Sequence, residues 1–271
     1  MTSNDRDCGE ANTLLVQLSD PHLREPAAAR LRGVVTLDCL KAVLELAAAD
    51  LVGAGAIMVT GDISDDGSAE SYRVMGELLQ HQRGTRRLLH GNHDLPEELN
   101  RQWPQPPWPT VDTLGAWQLI GLSSHLPGEE GGHLDAVQLN NLNQLLGDTR
   151  DCWTVIALHH PPVATGSPWL DRMGLDNHEA FRGLLQAHPQ VRAVIFGHAH
   201  QEIDRWEHGV RWLGCPATCI QFRPDSDKPF SDTRLPGYRW LRLHSDGQLQ
   251  TGVKRLLAWP PGSEPNKLCD G

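Results

Sequence analysis

The chain has 271 residues, which is enough for one sizeable α/β domain or for two small domains at most. Its 34 acidic residues outnumber its 24 basic residues, which gives a formal net charge of -10 at pH 7. This excess of negative charge argues against broad binding to nucleic acid, because such binding requires a basic surface that displaces counterions. An anionic substrate is not excluded, since bound metal ions can reverse the local field.

The N-terminal segment, residues 1–12, is polar and contains no apolar stretch after a basic start, so no secretion signal is expected. No apolar run of the sequence is long enough to cross a bilayer. The six cysteines are scattered along the chain, as is typical of reduced structural thiols. The sequence therefore predicts a cytoplasmic protein that binds no membrane.

The first part of the chain alternates between predicted strands and helices. Residues 13–18 form an apolar strand, and residues 36–52 predict a helix with one apolar stripe. A strand at 57–60 precedes a helix at 68–82, which begins at a serine that can cap its N-terminus. Residues 87–90 form the next short strand. The pattern of a strand, a polar motif and a helix therefore occurs twice.

A proline- and tryptophan-rich connector, residues 103–109, follows these elements and excludes a helix or an inner strand there. Beyond it, the predicted elements are a strand at 117–122, a helix at 135–146, a strand at 154–158, a helix at 177–187 and a strand at 191–196. Short antiparallel strands are then predicted at 206–213, 218–222, 238–243 and 249–256, with a hairpin turn at Asp246-Gly247. We expect one domain over 13–257 and a loosely held tail over 258–271.

Five of the predicted strands end directly at a polar motif. In chain order the motifs are Asp20-Pro21-His22, Gly61-Asp62, Gly91-Asn92-His93-Asp94, His159-His160-Pro161-Pro162 and Gly197-His198-Ala199-His200. Carboxylate, amide and imidazole groups without a thiolate are ligands that divalent cations such as Mn²⁺ and Fe²⁺ accept. Asp20 and His22 can face one ion from a strand end, and the two oxygens of Asp62 can bridge two ions. The recurrence of these motifs after successive strands predicts a dinuclear metal site.

The order of these motifs resembles that of the calcineurin-like metallophosphoesterases, and the resemblance covers nearly all of residues 14–257. It implies an α/β (α+β) fold, a four-layer α/β/β/α sandwich of two mixed sheets. It also assigns seven metal ligands, namely Asp20, His22 and His200 for one ion, Asn92, His159 and His198 for the other, and Asp62 as the bridge. His159 is preferred because the family ligand lies two residues before the proline, and His160 remains the alternative.

Such a centre supports phosphoester hydrolysis. Two divalent ions outweigh the charges of Asp20 and Asp62, so a water shared between the ions should ionise near neutral pH and give a bridging hydroxide that attacks phosphorus. The ions and nearby imidazoles would hold the phosphoryl oxygens. The residues expected to contact the substrate are His22, Asp62, Asn92, His93 and His200.

The departing alkoxide of a phosphodiester also needs a proton. His93 adjoins a ligand but is not one by the family pattern, which makes it the predicted general acid. Asp65 resembles the carboxylate that orients this histidine in related phosphatases, and is therefore included in the predicted catalytic set. Asp66 is the alternative for this orienting role, and a helix-capping role is open for both carboxylates.

Stretches outside the metal motifs resemble bacterial class III 3′,5′-cyclic-AMP phosphodiesterases, namely residues 167–171, 200–204, 216–222 and 236–239. By this resemblance the reaction is hydrolysis of cyclic AMP to 5′-AMP, with Fe²⁺ or Mn²⁺ as the metal ions and Zn²⁺ as an alternative. A broad-specificity phosphodiesterase or phosphatase of the same superfamily is the competing function. A non-catalytic scaffold is disfavoured, because all seven ligand positions and His93 are intact.

The sequence gives less information on the nucleoside part of the substrate. Trp169, Phe222 and His125 are candidates for stacking on a base, although an aromatic side chain more often packs in a core or at its rim. The chain is expected to act as a monomer or a homodimer.

Overall fold

The computed structural model describes residues 12–104, 106–263 and 265, and within them the chain forms thirteen strands and six helices. The strands are β1 (Thr13–Leu18), β2 (Arg30–Leu31), β3 (Val34–Val35), β4 (Ala54–Thr60), β5 (Thr85–Leu89), β6 (Thr110–Leu114), β7 (Trp117–Gly121), β8 (Trp153–Ala157), β9 (Val191–Phe196), β10 (Ile203–Glu207), β11 (Val210–Gly214), β12 (Gly237–Leu243) and β13 (Leu249–Arg255). The helices are α1 (Thr36–Gly53), α2 (Ala69–Leu79), α3 (Pro96–Gln102), α4 (Ala136–Asp148), α5 (Pro168–Asp171) and α6 (His178–Gln186).

The strands build two large mixed sheets and one small hairpin. The first sheet has the order β13-β12-β1-β4-β5, and the second has the order β10-β11-β9-β8-β7-β6. In the first sheet β1, β4 and β5 run parallel, and in the second β7, β8, β9 and β11 run parallel. Parallel strands of one sheet end at the same edge, so the motifs that follow β1, β4 and β5, and those that follow β8 and β9, are brought together in two groups.

The two sheets pack face to face, and helices cover their outer faces. Leu15 and Met58 of the first sheet share an apolar cluster with Val155 and Ile195 of the second. Their neighbours along the strands point the other way, because side chains of a strand alternate between the two faces of its sheet. One such set packs with α1, α2 and α3, and another packs with α4, α5 and α6. The predicted four-layer α/β/β/α sandwich is confirmed.

Two of the predicted strands are wrong. Residues 206–213 do not form one strand but the adjoining parts of a hairpin, β10 and β11, which turns at His208 and Gly209 with φ of 50° and 81°. Residues 218–222 form a loop, in which Phe222 makes one isolated antiparallel bridge to Ser231. This loop lies buried beneath the β2–β3 hairpin, and packing against that hairpin rather than strand pairing holds its apolar residues.

Part of the C-terminal segment packs against the domain. Trp259, in the segment expected to be loosely held, packs against an apolar cluster, and the buried hydroxyl of Ser263 accepts a hydrogen bond from the main-chain N–H of Val35. Residues 264 and 266–271 of that segment lie outside the described residues.

Of the cysteines, Cys8 and Cys269 also lie outside the described residues, whereas Cys39, Cys152, Cys215 and Cys219 are free thiols. Among the described helices, none combines the length and the apolar character that a bilayer crossing requires.

Candidate metal centre

The structure brings the side chains of all seven predicted ligands together where the two sheets meet. The motifs after β1, β4 and β5 come from the first sheet, and those after β8 and β9 come from the second. Main-chain hydrogen bonds join the loops, since Asp20 donates its N–H to the Gly61 carbonyl and Gly197 donates to the His159 carbonyl. The seven side chains are thus held by the ends of two packed sheets.

The backbone of the ligand-bearing loops adopts the left-handed conformation at several positions. Asp20, His22, Asp62, His198 and His200 all have positive φ, between 46° and 62°. Residues other than glycine rarely adopt this left-handed region, and such strain clusters at functional sites. Five of the seven predicted ligands share it. The left-handed backbone conformation is therefore a shared feature of the loops that carry the predicted ligands.

At two motif positions only glycine fits, because predicted ligand side chains lie very close to the backbone there. Gly61 has a φ of 90°, and a Cβ there would lie 2.3 Å from His159 Nδ1. A Cβ on Gly91 would lie 2.1 Å from Asp62 Oδ1. Any larger residue at either position would displace a predicted ligand.

One cluster of potential ligand atoms comes from Asp20, His22 and His200, which are all buried. The Nε2 atoms of His22 and His200 lie 3.1 Å apart, and His200 Nε2 lies 3.5 Å from Asp20 Oδ1. Asp62 Oδ2 lies 3.6 Å from His22 Nε2. Four side chains can thus direct one ligand atom each towards a common point.

A second cluster lies on the other side of Asp62. Asn92 Oδ1 is 3.2 Å from His159 Nε2 and 3.0 Å from His198 Nδ1. The same Asp62 Oδ2 atom lies 3.4 Å from His159 Nε2. This oxygen therefore adjoins both clusters, while the other carboxylate oxygen, Oδ1, accepts a hydrogen bond from the main-chain N–H of His93 at 3.0 Å.

The tautomers of the histidines show that these atoms fit cations. His159 Nδ1 donates to the main-chain carbonyl of Thr60 at 2.7 Å, and His200 Nδ1 donates to that of Ile220 at 2.8 Å. A carbonyl only accepts, so Nδ1 carries a hydrogen, and when the ring is neutral, as metal binding requires, it presents the Nε2 lone pair to the cluster. Lone pairs, a carboxylate and an amide oxygen then converge, and a cation satisfies all of them. The donor set fits two divalent ions.

His198 presents Nδ1 to the second cluster, beside Asn92 Oδ1. Its other nitrogen, Nε2, is buried and has no hydrogen-bond partner among the described residues.

The charges of the cluster shift its pKa values strongly. Burial would lower the pKa of His159, but the charge of Asp62, a hydrogen bond to it and the charge of Asp20 together raise it to about 9. Burial would raise the pKa of Asp62, but the charge and hydrogen bond of His159 hold it well below its usual range. Burial and the charge of Asp62 raise the pKa of Asp20 to about 6, against the opposite effect of His159. In the absence of metal, a proton on His159 thus serves as the countercharge of Asp62.

We expect metal binding to release protons. At about pH 7.5 His159, with a pKa of about 9, is protonated in the metal-free chain, and a metal ion requires the lone pair of its Nε2. About one proton per chain should therefore leave from this residue, and this release should decline as the pH rises through 9. Calorimetric titration with Mn²⁺ in two buffers of different ionisation enthalpy measures the number. A binding enthalpy that is the same in both buffers at pH 7.5 would contradict this prediction.

The second histidine of the pair occupies a different environment. His160 Nε2 donates to the main-chain carbonyl of Glu130 at 3.2 Å, and Nδ1 lies 2.8 Å from the hydroxyl of Ser124. Both of its nitrogens thus have partners within the chain. Its ring also packs against those of His159 and His198, with centroids 4.8 and 5.0 Å apart. His159 is expected to be the ligand because its Nε2 lies beside Asp62 and Asn92, although His160 also lies within reach of His159 and His198.

Substitution of each histidine separately tests this difference. We expect His159→Ala to lose at least one of two bound ions per chain, because it removes a nitrogen beside Asp62 and Asn92. His160→Gln should keep both ions, since an amide can still donate to Glu130 and accept from Ser124. Elemental analysis of the purified variants gives the metal content. Loss of metal from His160→Gln alone would reverse the assignment.

The predicted catalytic residues lie beside the first cluster. The ring of His93 stands edge-on to that of His22, with centroids 4.9 Å apart, and its side chain is 42% exposed. His93 Nδ1 lies 3.4 Å from the main-chain carbonyl of Asp65 and 3.7 Å from its carboxylate. That carboxylate is closer to His22 Nδ1, at 3.0 Å, and to Arg24 Nε, at 3.2 Å. Asp65 therefore contacts His22 more closely than His93.

Asp66 is placed differently. One oxygen accepts from the hydroxyl of Ser64 and from the N–H of Ser68, and the other accepts from the N–H of Glu25. These hydrogen bonds stabilise the loop before α2. The cap of α2 is Ser68, as its position in the sequence predicts.

Asp94 has a supporting role that the sequence reasoning missed, although it lies in the third motif. Its buried carboxylate accepts three main-chain N–H groups, from Ile63 at 3.1 Å, Ser64 at 2.9 Å and Gly91 at 2.9 Å. These bonds join the loop that carries Asp62 to the loop that carries Asn92. Its sequence signal was weak, because an aspartate in a Gly-Asn-His-Asp run is also typical of a turn.

A cavity of about 330 Å³ opens over both clusters. Its lining combines predicted ligands and His93 with apolar and aromatic side chains. The complete lining is His22, Leu31, Arg32, Asp62, Asp65, Asn92, His93, Glu130, Trp169, Leu170, Met173, His198, His200, Ile220, Phe222 and Pro229. All five residues predicted to contact the substrate therefore line one cavity.

The sequence matches a known family and several curated proteins. Residues 13–202 match the family described as calcineurin-like phosphoesterase. The chain is 39% identical over 248 residues to the 3′,5′-cyclic adenosine monophosphate phosphodiesterase CpdA of Pseudomonas aeruginosa, and the match covers 91% of each chain. It is 34% identical to the 3′,5′-cyclic-nucleotide phosphodiesterase alr5338 of Nostoc, over 89% of this chain and 92% of that protein.

Solved structures resemble the fold at much lower identity. A dimetal phosphatase from Danio rerio has a TM-score of 0.61 and 15% identity, and the match covers 90% of this chain and 98% of that one. A purple acid phosphatase from yellow lupin has a TM-score of 0.64 and 14% identity, over 95% of this chain and 57% of that one. At this identity the likeness concerns the fold alone.

Proposed function

The chain belongs to the calcineurin-like phosphoesterase family, and on that premise we propose that it hydrolyses 3′,5′-cyclic AMP to 5′-AMP at a dinuclear metal centre. The observation that carries this proposal is the position of Asp62 Oδ2, 3.6 Å from His22 Nε2 and 3.4 Å from His159 Nε2, between two clusters of ligand atoms. The substrate is suggested by the relatives whose names specify cyclic AMP.

We assign the first ion to Asp20, His22 and His200, the second to Asn92, His159 and His198, and the bridging position to Asp62. Two divalent ions, when bound, would supply Lewis acidity at the phosphoryl oxygens and lower the pKa of an attacking water. Fe²⁺ or Mn²⁺ suits this mixture of oxygen and imidazole ligands, and Zn²⁺ is the alternative. The chain's own task is to fix these ligands, which the hydrogen bonds of Thr60, Ile220 and Asp65 to the ligand histidines achieve.

His93 is the proposed general acid. Its side chain lines the cavity, and its Nδ1 faces the main-chain carbonyl of Asp65, so that hydrogen is directed away from the substrate. Nε2 is then the nitrogen that can hold the proton for the departing O3′ atom of the substrate. Asp65 is proposed as a positioning residue for both His22 and His93, because its carboxylate lies between their Nδ1 atoms.

The wider setting of the enzyme is proposed on the same premise. Residues 13–257 constitute the catalytic domain, and the enzyme acts in the cytoplasm as a monomer or a homodimer on a small cyclic nucleotide rather than on nucleic acid.

The substrate is tested by comparing turnover of cyclic AMP, cyclic GMP, 2′,3′-cyclic AMP and bis(p-nitrophenyl) phosphate with Mn²⁺, Fe²⁺ and Mg²⁺ in turn. We expect the highest kcat/KM for cyclic AMP. Equal rates for the cyclic nucleotides and the model diester would reduce the function to a broad-specificity phosphodiesterase, the second candidate. Absence of turnover with every substrate and metal would contradict both.

A further inference from the structure

One part of the cavity differs in character from the metal clusters. Met173, Ile220 and Pro229 give part of the cavity an apolar lining, whereas predicted ligands such as His22 and Asp62 line the rest. If the phosphate of a cyclic nucleotide lies at the predicted ligands, the rest of the substrate can extend into this apolar part. A cavity of about 330 Å³ is large enough for a small ligand.

Two aromatic rings of the cavity lining adjoin the first cluster. The ring of Phe222 lies 4.5 Å from that of His200, at an interplanar angle of 31°. Trp169, from the short helix α5, meets Phe222 edge-on at 4.9 Å. Phe222 therefore packs directly on a predicted ligand, and both aromatic side chains line the same cavity as the ligands. A nucleotide whose phosphate lay at the ligands would have these rings beside it.

Arg32 is a cation in the lining of the same cavity. It lies at the turn of the β2–β3 hairpin with a φ of 47°, its guanidinium lies 5.2 Å from the centroid of Phe222, and one N–H group donates to the carbonyl of Pro229 at 2.6 Å. No ion pair between Arg32 and a carboxylate is formed among the described residues, whereas nearby Arg24 pairs with Asp65. An arginine left without an acidic partner in so acidic a chain has N–H donors available for a ligand.

We propose that Arg32, Trp169 and Phe222 form the nucleobase site, with the aromatic pair packing against the base and Arg32 donating a hydrogen bond to an acceptor on the purine edge. This inference rests on the proposed function, because it takes a cyclic nucleotide as the substrate. Arg32 is assigned to the base rather than to the phosphate because its contacts are with Phe222 and Pro229. Aromatic rings and arginine together are a common means of holding a base.

The test compares cyclic AMP with 1-deoxyribose 3′,5′-cyclic phosphate, which lacks the base. We expect Arg32→Gln and Trp169→Leu each to lower kcat/KM for cyclic AMP by roughly ten-fold, the scale of stacking and cation–π contacts to a base. For the baseless analogue their kcat/KM should stay within about two-fold of the wild-type value, because the contact removed has no partner there. The matched control is Arg30→Gln, on the same hairpin, whose side chain donates to the carbonyls of Gly33 and Gly262.

The outcomes separate the two proposals. Equal losses on both substrates would place Arg32 and Trp169 at the phosphate and overturn the base site, as would no loss on either. A loss in Arg30→Gln equal to that in Arg32→Gln would assign the effect to the hairpin instead. Wild-type enzyme that cleaves bis(p-nitrophenyl) phosphate but not cyclic AMP would overturn the proposed substrate. The metal content and melting temperature of each variant should match those of the wild type. Arg32 and Trp169 lie on separate elements, so the two substitutions test the site independently.

Discussion

Replacement of Asp62 by alanine should lower kcat for cyclic AMP by at least about 10³-fold, because the Lewis-acid contribution of a bound metal is worth several kcal/mol. The substitution removes the only carboxylate oxygen that lies within 3.6 Å of both His22 Nε2 and His159 Nε2 among the described residues. We expect the metal content to fall from two ions per chain to one or none. Elemental analysis and steady-state kinetics on the same preparation measure both effects.

The matched control is Asp66→Ala, which removes a carboxylate from the same loop that contacts Ser64, Ser68 and Glu25 instead of the clusters. This variant should keep two ions and most of the activity, although its stability should fall by about 1 kcal/mol per lost hydrogen bond. An Asp62→Ala protein that still binds two ions would refute the bridging assignment.

Replacement of His93 by alanine should lower kcat for cyclic AMP by roughly 10²–10⁴-fold, the usual contribution of a general acid. The metal content should stay at two ions per chain, because His93 is not one of the seven predicted ligands and alanine retains the main-chain N–H that donates to Asp62. Hydrolysis of bis(p-nitrophenyl) phosphate should fall much less, since p-nitrophenolate leaves without a proton. The ratio of the two losses therefore reports proton transfer separately from metal binding.

His133→Ala is a suitable control for His93, because His133 is a part-exposed histidine that pairs with Asp176 away from the clusters. Its substitution should change neither rate. If His93→Ala cleaves cyclic AMP at the wild-type rate with both metal ions bound, the general-acid role is wrong. Equal losses on the two substrates would instead indicate that His93 binds the phosphate.

The layers of the fold could be predicted because each central strand alternates between two apolar faces. Leu15 and Met58 face the other sheet, and Val16 and Val59 face the helices, so the strands required cover on both sides. The β2–β3 hairpin, β6 and the short helices α3 and α5 escaped prediction. They are too short to show a hydrophobic periodicity, and α3 packs through Leu99 against residues from other parts of the chain.

That the candidate ligands lie together could be predicted because their motifs directly follow strands that run parallel, such as β4 and β5. The role of each residue, such as the bridging role of Asp62, came from the resemblance to the family and stays a prediction. Strand order alone could not show which of His159 and His160 faces the clusters. Their orientations depend on hydrogen-bond partners, such as Thr60 and Ser124, that lie far away in sequence. The closer contact of Asp65 with His22 was hidden for the same reason.

The proposed catalysis requires two metal ions acting together in one site. Metal-free protein should therefore be titrated with Mn²⁺ while the hydrolysis of cyclic AMP and the identity of the product are followed by chromatography. We predict little activity after the first equivalent per chain, full activity after the second, and 5′-AMP as the sole product. Full activity at one equivalent, activity that survives removal of all metal, or 3′-AMP as the product would contradict the account.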